Sequence, residues 1–320
     1  MINSLFDRYD VERQKVGESK AMEEKYCDLH AHSVYSDGTV SPREIINQAV
    51  EKGLYAVALT DHNTTAGLKE FLTAAEEKAE EKEKEQPGKP PLQAVAGVEF
   101  STDYGEKELH ILGLFLKENT FEKIENRLQI LRKNKEESNR KLVENLQKGG
   151  YEIDLEKIKS ATPNGQINRA HIASALCEKG YVQSVKHAFS TLLSKDGKFY
   201  VPTKRLDAFE TVRFIKEIGG AAVLAHPFLD LTESELLQFL NLAKPCGLDG
   251  METRYSLFDD GQTARLEEIA KEMDLLCSGG SDYHGFRKPD IQLGAGRGAL
   301  KVPFSYYEAL LARSENSGNL

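Results

Sequence analysis

DLHAHSVYSDG, residues 28–38, joins a short apolar strand to a loop that carries reactive side chains. Alternate side chains of an extended strand point to the same side, so His30 and His32 can direct two imidazoles at one point. Asp37 follows on a loop predicted by the Ser, Asp and Gly residues around it. Two imidazoles at a strand end and a nearby carboxylate are typical of the start of a metal site. An H-x-H pair can equally be two ordinary surface or core histidines, so the interpretation depends on partners elsewhere in the chain.

The amino-acid composition is that of an ordinary globular protein. Of its 320 residues, 40% are hydrophobic and 29% are charged, and no apolar run is long enough to span a membrane. The N-terminus lacks the basic-then-apolar order of a secretory signal, so a cytoplasmic location is expected. The 4 cysteines are widely spaced and form no CxxC pair, which argues against a zinc ribbon or a disulfide framework.

The net charge of −9 disfavours a large basic surface for duplex nucleic acid. A nucleotide substrate remains compatible with this acidity, because bound divalent cations reverse the local field at a site. The expected partner is therefore a small phosphorylated substrate, with no duplex nucleic acid and no membrane. The oligomeric state is left open.

Strands alternate with helices along most of the chain, which predicts an α/β fold with a parallel sheet. Seven strand candidates without a dinucleotide-type glycine fingerprint favour a closed or distorted barrel over an open sheet. The predicted organisation has four parts: an extension at 1–25, the first part of the barrel at 26–116, an inserted helical lobe at 117–206 and the second part of the barrel at 207–320. The charged segment 76–91 is interpreted as a solvated helix end followed by a loop.

Side chains able to bind metals stand at the ends of most predicted strands. The C-terminal strand ends of an α/β barrel form one face, and that face holds the active site. His110 is the exception, because it stands near the start of its strand and reaches that face only if the strand direction or the sheet is irregular. Six of the 8 histidines belong to this set, which consists of His30, His32, Asp37, Asp61, His62, Glu99, His110, His226, Asp282 and His284.

Imidazole and carboxylate ligands without thiolate suit Zn, Mn or Fe. Nine of these side chains, all except Asp61, are candidate ligands, which exceeds the need of one ion; because a carboxylate such as Glu99 can bridge, we expect two or three divalent ions. Two ions roughly 3.5–4 Å apart can clamp the attacking and leaving oxygens of a phosphoryl transfer. A hydroxide that bridges such ions would be the nucleophile.

The assembled pattern resembles the PHP (polymerase and histidinol phosphatase) family of metal-dependent phosphoesterases. The matching segments are DLHAHSVYSDG, LTDHN, AGVEFS, ELHILG, LAHP and GGSDYH, in the order of the family. The resemblance implies a distorted (β/α)7 TIM-like barrel with an inserted helical lobe. It also implies three ion sites: His30, His32, Glu99 and Asp282 for the first, Glu99, His110 and His226 for the second, and Asp37, His62 and His284 for the third. Asp61 would orient an imidazole.

INRAHIASAL, residues 167–176, resembles an element of the branch that acts on nucleotides. Members of that branch dephosphorylate 3′,5′-bisphosphonucleotides or trim 5′-phosphorylated short RNA. The resemblance implies that Arg169 grips a phosphate by its planar fork and that His171 contacts a phosphate or protonates the leaving oxygen. The alternative is an exposed arginine and an ordinary helix-face histidine. Arg254 is a weaker phosphate candidate, for which a salt bridge is the competing role.

These observations predict a metal-dependent phosphoesterase that hydrolyses a phosphomonoester of a nucleotide or the 5′ end of a short oligonucleotide. Histidinol phosphatase is the alternative activity, although the Arg-x-His-Ile-Ala element argues against it. A metal-dependent amide or ester hydrolase on a similar barrel and a non-catalytic metal-binding regulatory module are further alternatives. Hydrolases of the first kind often carry a bridging carboxylated lysine, and no strand-end lysine of this chain is placed for that role. The complete ligand set argues against the regulatory module.

Overall fold

The computed structural model describes residues 24–162 and 167–317. The predicted extension at 1–25 therefore lies almost entirely outside the described residues. No helix within these ranges is both long and apolar enough to cross a membrane.

The strands and helices alternate as the sequence predicts. In chain order, the strands are β1 (Tyr26–Asp28), β2 (Ala56–Leu59), β3 (Gln93–Ala96), β4 (Val98–Tyr104), β5 (Lys107–Leu114), β6 (Leu206–Asp207), β7 (Ala221–Leu224), β8 (Gly250–Tyr255), β9 (Leu276–Gly280) and β10 (Val302–Pro303). The α-helices are α1 (Pro42–Glu51), α2 (Leu68–Glu85), α3 (Phe121–Lys148), α4 (Leu155–Ser160), α5 (Arg169–Glu178), α6 (Val185–Ser190), α7 (Ala208–Glu217), α8 (Pro227–Asp230), α9 (Glu233–Ala243), α10 (Asp260–Glu272) and α11 (Phe304–Ser317).

The strands form two hydrogen-bonded sheets, ordered β10-β1-β2-β3 and β6-β4-β5-β7-β8-β9. Backbone hydrogen bonds connect the two sheets on both sides. The Leu29 N–H donates to the Gly279 carbonyl at 3.1 Å, which joins β1 to β9, and the Leu116 N–H donates to the Ala96 carbonyl at 3.0 Å. The barrel wall thus has seven strand positions around one interior, because the consecutive strands β3 and β4 together occupy one of them. The fold is a distorted TIM-like α/β barrel.

Strand β5 corrects the expectation of a wholly parallel sheet. It pairs antiparallel with β4 on one side and with β7 on the other. Because β5 runs in the opposite direction, its start lies where the parallel strands end. His110 is therefore placed opposite Ser101 of β4 rather than at the far end of the barrel.

Helix α1 shows how local sequence sets an element boundary. The Ser41 hydroxyl accepts a hydrogen bond from the Glu44 N–H at 3.2 Å, and Pro42 occupies the first turn, where its missing N–H costs nothing. The Glu44 carboxylate accepts from the Gln48 side chain at 3.0 Å, so the Ser41 side chain is the only partner in this cap and Glu44 does not return a bond to the Ser41 backbone. Helix α2 ends at Glu85, and its charged C-terminal part is mostly exposed, as the sequence predicts.

The helices of residues 121–190 pack partly against each other rather than against the barrel. Apolar side chains of these helices, among them Leu142, Leu146, Ile172 and Leu176, form a separate buried cluster with Phe199 from the segment after α6. The first half of α3 packs on the barrel instead, through Ile124 and Leu128. A helical lobe thus faces the strand ends, while the four domain boundaries stay a prediction.

Candidate metal centre

The segment after β1, the start of β4 and the loop after β9 bring the first predicted ligand group together. The Nε2 atoms of His30 and His32 lie 3.0 Å apart. The Glu99 Oε2 atom lies 3.2 Å from the former and 3.1 Å from the latter. The Asp282 Oδ1 atom lies 3.6 Å from His30 Nε2 and 3.2 Å from His32 Nε2. Four donor atoms therefore converge where the sequence predicts one ion site.

The second oxygen of Glu99 faces the second predicted group. His110 Nδ1 lies 2.7 Å from Glu99 Oε1, and His226 Nε2 lies 3.1 Å from the same oxygen. The reversed direction of β5 is what allows His110 to reach this point. Glu99 is therefore placed as a carboxylate between two groups of imidazoles, which is the arrangement expected of a bridging ligand.

The third predicted group is looser. His284 Nε2 lies 3.1 Å from Asp37 Oδ1, whereas His62 Nε2 lies 3.9 Å from that oxygen. The other ring nitrogen of His62 lies 3.0 Å from Glu99 Oε2. His62 therefore stands between the Asp37 group and Glu99, and its donor atoms are compatible with either.

The unpaired polar atoms of this cluster fit divalent ions. Two ligands held at about 2.1 Å from one ion lie about 3.0–3.4 Å apart, which matches the contacts of His30, His32 and Glu99. Buried polar groups normally find hydrogen-bond partners. Several buried atoms here have none within the described part of the chain: His32 Nδ1, Asp37 Oδ1, His62 Nδ1, Glu99 Oε2 and His226 Nδ1. Metal coordination would satisfy three of these atoms, Asp37 Oδ1, His62 Nδ1 and Glu99 Oε2.

The buried carboxylates favour positive charge at this location. Burial alone would lower the pKa of His32, but the Asp282 and Glu99 carboxylates outweigh it and raise that pKa to about 9. Burial likewise opposes a charge on His110, yet Glu99 and Glu108 raise its pKa to about 10. Carboxylates that attract protons also attract metal ions, so their position here is consistent with a cation-binding site.

Two predicted ligands stand on strained backbone. His226 has φ 28° and Asp282 has φ 55°, and both values lie in the left-handed region that non-glycine residues rarely adopt. The Asp282 Oδ2 atom accepts hydrogen bonds from the Tyr255 hydroxyl at 2.8 Å and from Lys288 Nζ at 2.6 Å. Such strain persists where surrounding contacts impose it, commonly at functional sites. Here the turned backbone directs Oδ1 of Asp282 toward the imidazoles.

Glu252, and not Asp61, is the carboxylate that contacts the outer ring nitrogen of His30. Asp61 accepts from the Ser33 N–H at 2.8 Å and from the hydroxyls of Ser33 and Ser36, which holds the loop after β1. Glu252 Oε1 lies 3.0 Å from His30 Nδ1. The prediction that Asp61 orients an imidazole is therefore corrected. Glu252 is the third residue of β8 (Gly250–Tyr255), so a rule based on strand ends does not single it out.

A cavity of about 500 Å³ opens above the cluster, between the strand ends and the helical lobe. Its walls include predicted ligands from the barrel and side chains from α3, from α5 and from the turn after β9. The lining residues include Asp37, His62, Glu108, His110, Arg132, Lys135, Asn168, His171 and Arg287. This volume lies in the range of small-molecule sites, roughly 300–1,000 Å³.

His171 lines this cavity, and the start of its helix fixes its protonation. Its Nδ1 atom accepts the backbone N–H of Asn168 at 3.2 Å in a reciprocal cap. Burial, together with the positive charges of Arg287 and Lys135, lowers the pKa of His171. The neutral ring therefore carries its proton on Nε2, where it can be donated in a hydrogen bond.

Arg169 and Arg254 do not reach the cavity. The Arg169 guanidinium lies over the rings of Phe189 and Tyr200, at 5.5 and 5.1 Å from their centroids. Arg254 Nε lies 2.8 Å from Glu267 Oε1, and its Nη1 donates to the Lys301 carbonyl at 3.0 Å. The phosphate role of Arg254 is therefore corrected to the competing salt bridge. The phosphate contact of Arg169 stays a prediction.

Comparison with known proteins agrees with this geometry. The model of the PHP domain matches residues 28–201, more than half of the chain. The chain belongs to the PHP family. It is 32% identical over 268 residues to a 5′-3′ exoribonuclease of Haemophilus influenzae, with 82% of this chain and 91% of that protein covered.

A second relative and a solved structure support the same assignment of this PHP protein. It is 33% identical over 262 residues to a phosphoribosyl 1,2-cyclic phosphate 1,2-diphosphodiesterase of Eggerthella lenta, covering 81% of this chain and 94% of the relative. A solved structure from Bifidobacterium adolescentis, named as a candidate metal-dependent phosphoesterase, superposes with a TM-score of 0.71 and 29% identity. That superposition covers 90% of this chain and 96% of the other. The PHP protein is a phosphoric ester hydrolase.

Metal binding in this PHP site is expected to depend on Glu252, although Glu252 is not itself a predicted ligand. Besides facing His30, its Oε2 accepts the backbone N–H of His226 at 2.7 Å, so one fully buried carboxylate supports residues of two predicted groups. We expect Glu252→Gln to weaken metal binding by roughly 10- to 100-fold, because the amide presents an N–H to one of these donors. Metal titration by calorimetry checks this, with Glu272→Gln on the exposed side of α10 as the control. Unchanged metal affinity in the Glu252 variant would contradict the assignment.

Proposed function

We propose that this protein hydrolyses a phosphate ester carried by a ribonucleotide, with a 3′,5′-bisphosphonucleotide or the 5′ phosphate of a short oligonucleotide as the substrate. The observation that carries the proposal is the placement of Glu99 between two imidazole groups, directly below a cavity with basic side chains in its wall. Both reported relatives bear names that describe phosphate esters of ribose. The substrate of this chain is inferred from that shared chemistry.

The predicted ligand groups would hold two or three divalent ions of Mn, Fe or Zn. His30, His32, Glu99 and Asp282 would hold the first, Glu99, His110 and His226 the second, and Asp37, His62 and His284 the third. Such ions supply Lewis acidity toward phosphoryl oxygens and an activated water at neutral pH.

The chain's own side chains would orient the ester and manage its protons. His171 Nε2 carries a proton that can be donated to a phosphate oxygen or to the leaving oxygen. Arg132, Lys135 and Arg287 bring positive charge to the same cavity, where it favours a multiply charged substrate. Ser33 and Ser36 bond to Asp61 and so hold the loop on which Asp37 stands.

A cyclic phosphodiester of ribose is the second candidate substrate. The relative from Eggerthella lenta carries that activity in its name and is as similar to this chain as the exoribonuclease relative. Attack on a cyclic diester requires the same ligand groups, so the cluster does not discriminate between the two. The two candidate substrates differ instead in the size and the charge of the leaving group.

A substrate panel with the metal-loaded protein tests the proposal. The panel contains p-nitrophenyl phosphate, adenosine 3′,5′-bisphosphate, a 5′-phosphorylated trinucleotide, a ribose 1,2-cyclic phosphate and histidinol phosphate, each with Mn, Fe and Zn. We expect the bisphosphate or the trinucleotide to have the highest kcat/KM. A higher value for the cyclic ester would select the second candidate. A higher value for histidinol phosphate, or no hydrolysis of any nucleotide, would refute the proposal.

A further inference from the structure

The carboxylate of Glu108 lies beside the candidate metal centre but belongs to none of the predicted ligand groups. Glu108 and His110 alternate with Leu109 on β5, so their side chains point to the same side of the strand. The Glu108 Oε1 atom lies 3.7 Å from His110 Nε2. The other ring nitrogen, His110 Nδ1, lies 2.7 Å from Glu99 Oε1. The imidazole of His110 thus stands between a carboxylate of the centre and a carboxylate outside it.

Arg205 fixes the position of Glu108. Its Nη2 atom donates to Glu108 Oε2 at 2.7 Å, and its Nη1 atom donates to Asp103 Oδ1 at 3.0 Å. The backbone N–H of Arg205 also donates to Asp103 Oδ2 at 3.2 Å. Arg205 directly precedes β6, where the chain returns from the helical lobe and pairs with β4. One planar guanidinium therefore holds carboxylates of two neighbouring strands.

The position of Glu108 is unfavourable in itself. Asp103 and Glu108 are direct partners in the ladder of β4 and β5, and like charges placed opposite each other destabilise a sheet. Glu108 also lines the cavity, where its negative charge opposes an anionic ester. Arg205 and the Lys195 ammonium, which lies 3.7 Å from Glu108 Oε2, offset this charge. An acid held by two cations at such a place indicates a contact that uses its charge.

The two nitrogens of the His110 ring have different tasks. A nitrogen that binds a metal offers its lone pair, so the ring then carries its proton on the other nitrogen. Because Nδ1 of His110 faces Glu99, Nδ1 is the candidate ligand atom and Nε2 carries the proton. The Glu108 carboxylate lies on the side of that proton. A carboxylate in this position orients the ring and makes the ligand nitrogen more basic.

We propose that Glu108, held by Arg205, is a positioning residue for His110 and thereby sets the metal affinity of the second predicted ligand group. The inference rests on the ligand groups of the proposed function and deepens that function. It also gives the helical lobe a part in metal binding, because the segment that returns from the lobe supplies Arg205. Metal affinity should therefore depend on two residues that are not themselves predicted ligands.

Metal titration tests the proposal without any substrate. Mn and Zn are titrated by calorimetry into the metal-free protein and into its Glu108→Gln and Arg205→Met variants. We expect each variant to bind one ion roughly 10- to 100-fold more weakly, since the carboxylate behind a metal-bound imidazole is lost or released. The double variant should bind no more weakly than Glu108→Gln alone, because Arg205 acts through Glu108. Arg205→Lys should restore part of the affinity, because an ammonium can still pair with Glu108.

Glu106→Gln and Arg213→Met are the matched controls. Glu106 is an exposed acid in the turn between β4 and β5, Arg213 is an exposed arginine of α7, and neither lines the cavity. Both control variants should bind metals as the parent does. Unchanged metal affinity in the Glu108 and Arg205 variants would overturn the proposal, even if their thermal midpoints fell. An additive loss in the double variant would also overturn it, because Arg205 would then act independently of Glu108.

The tautomer of His110 gives a second readout, which is measured on the parent protein and needs no variant of Glu108 to fold. Nitrogen-15 NMR of the zinc-loaded protein with labelled histidines distinguishes a metal-bound ring nitrogen from one that carries a proton. The His110→Gln variant identifies the signals. We expect the metal at Nδ1 of His110 and the proton at Nε2. A proton at Nδ1 would overturn the proposal.

Nucleotide hydrolysis separates this inference from the proposed function. If the Glu108 and Arg205 variants lose metal affinity but the parent hydrolyses no nucleotide, the proposed function is refuted and the positioning role stands. If the parent hydrolyses adenosine 3′,5′-bisphosphate and Glu108→Gln changes only KM with unchanged metal affinity, the positioning role is refuted and the proposed function stands. Glu108 would then act on the ester or on Lys135, on which its charge also acts.

Discussion

Glu99→Gln is expected to reduce phosphatase activity by about 10³-fold or more, with the fold retained. The two oxygens of Glu99 face different imidazole groups, with contacts of 2.7 Å to His110 and 3.1 Å to His32. An amide supplies one neutral oxygen and one N–H, so it cannot bridge two cations and cannot neutralise their charge. Loss of His30 or His32 to Ala should likewise abolish turnover.

Hydrolysis of p-nitrophenyl phosphate and metal content by elemental analysis measure this effect, and circular dichroism reports the fold. Glu106→Gln is the matched control, because Glu106 is an exposed acid in the turn that joins β4 to β5. The control should keep the parent's rate and metal content. If the Glu99 variant hydrolyses p-nitrophenyl phosphate at the parent rate with the fold intact, the assignment of the metal centre is wrong.

The barrel, and the convergence of the candidate ligands on one face, could be predicted because strand ends carry information in the sequence. Buried strands of an α/β barrel read as short apolar runs, and side chains just beyond their C-terminal ends meet at one face. His226 after β7 and Asp282 after β9 follow this rule directly. The rule depends only on strand order and direction, so a sequence is sufficient to apply it.

The rule is incomplete where direction or pairing depends on distant residues. His110 stands near a strand start, and it reaches the cluster only because β5 pairs antiparallel with β4 and β7. Asp61 stands at a strand end, yet it bonds to Ser33 and Ser36 of the neighbouring loop. No local pattern distinguishes an acid that supports a loop from one that supports an imidazole, since both contacts join segments far apart in the chain.

Phosphate contacts were the least predictable part. The Arg-x-His-Ile-Ala element suggested Arg169, whose guanidinium lies over two aromatic rings. Two basic side chains that line the cavity, Lys135 and Arg287, stand in no recognisable motif. They come to one cavity only because α3 and the turn after β9 meet in the fold, which a sequence does not display.

Gly280→Ala is expected to destabilise the protein and to disturb the metal centre together. Gly280 ends β9 beside β1, and an added Cβ would lie 2.4 Å from the His30 Cβ atom and 2.5 Å from the His30 backbone nitrogen. Neither atom is the flexible end of a side chain, so β1 or β9 must shift. Overpacking of this kind costs about 3 kcal/mol, and the thermal midpoint should fall by about 5 °C or more.

The shift would also move His30 away from Glu99 and Glu252, so metal affinity should fall in the same variant. Differential scanning calorimetry and metal titration measure the two effects. Gly261→Ala is the control: Gly261 stands in the first turn of α10, and its added Cβ would meet only the Asp259 side chain, at 3.2 Å. That variant should keep the parent's thermal midpoint and metal affinity, since alanine favours a helix. A Gly280 variant with both values unchanged would show that β1 and β9 do not approach each other as closely as the barrel requires, and the placement of His30 would fail with it.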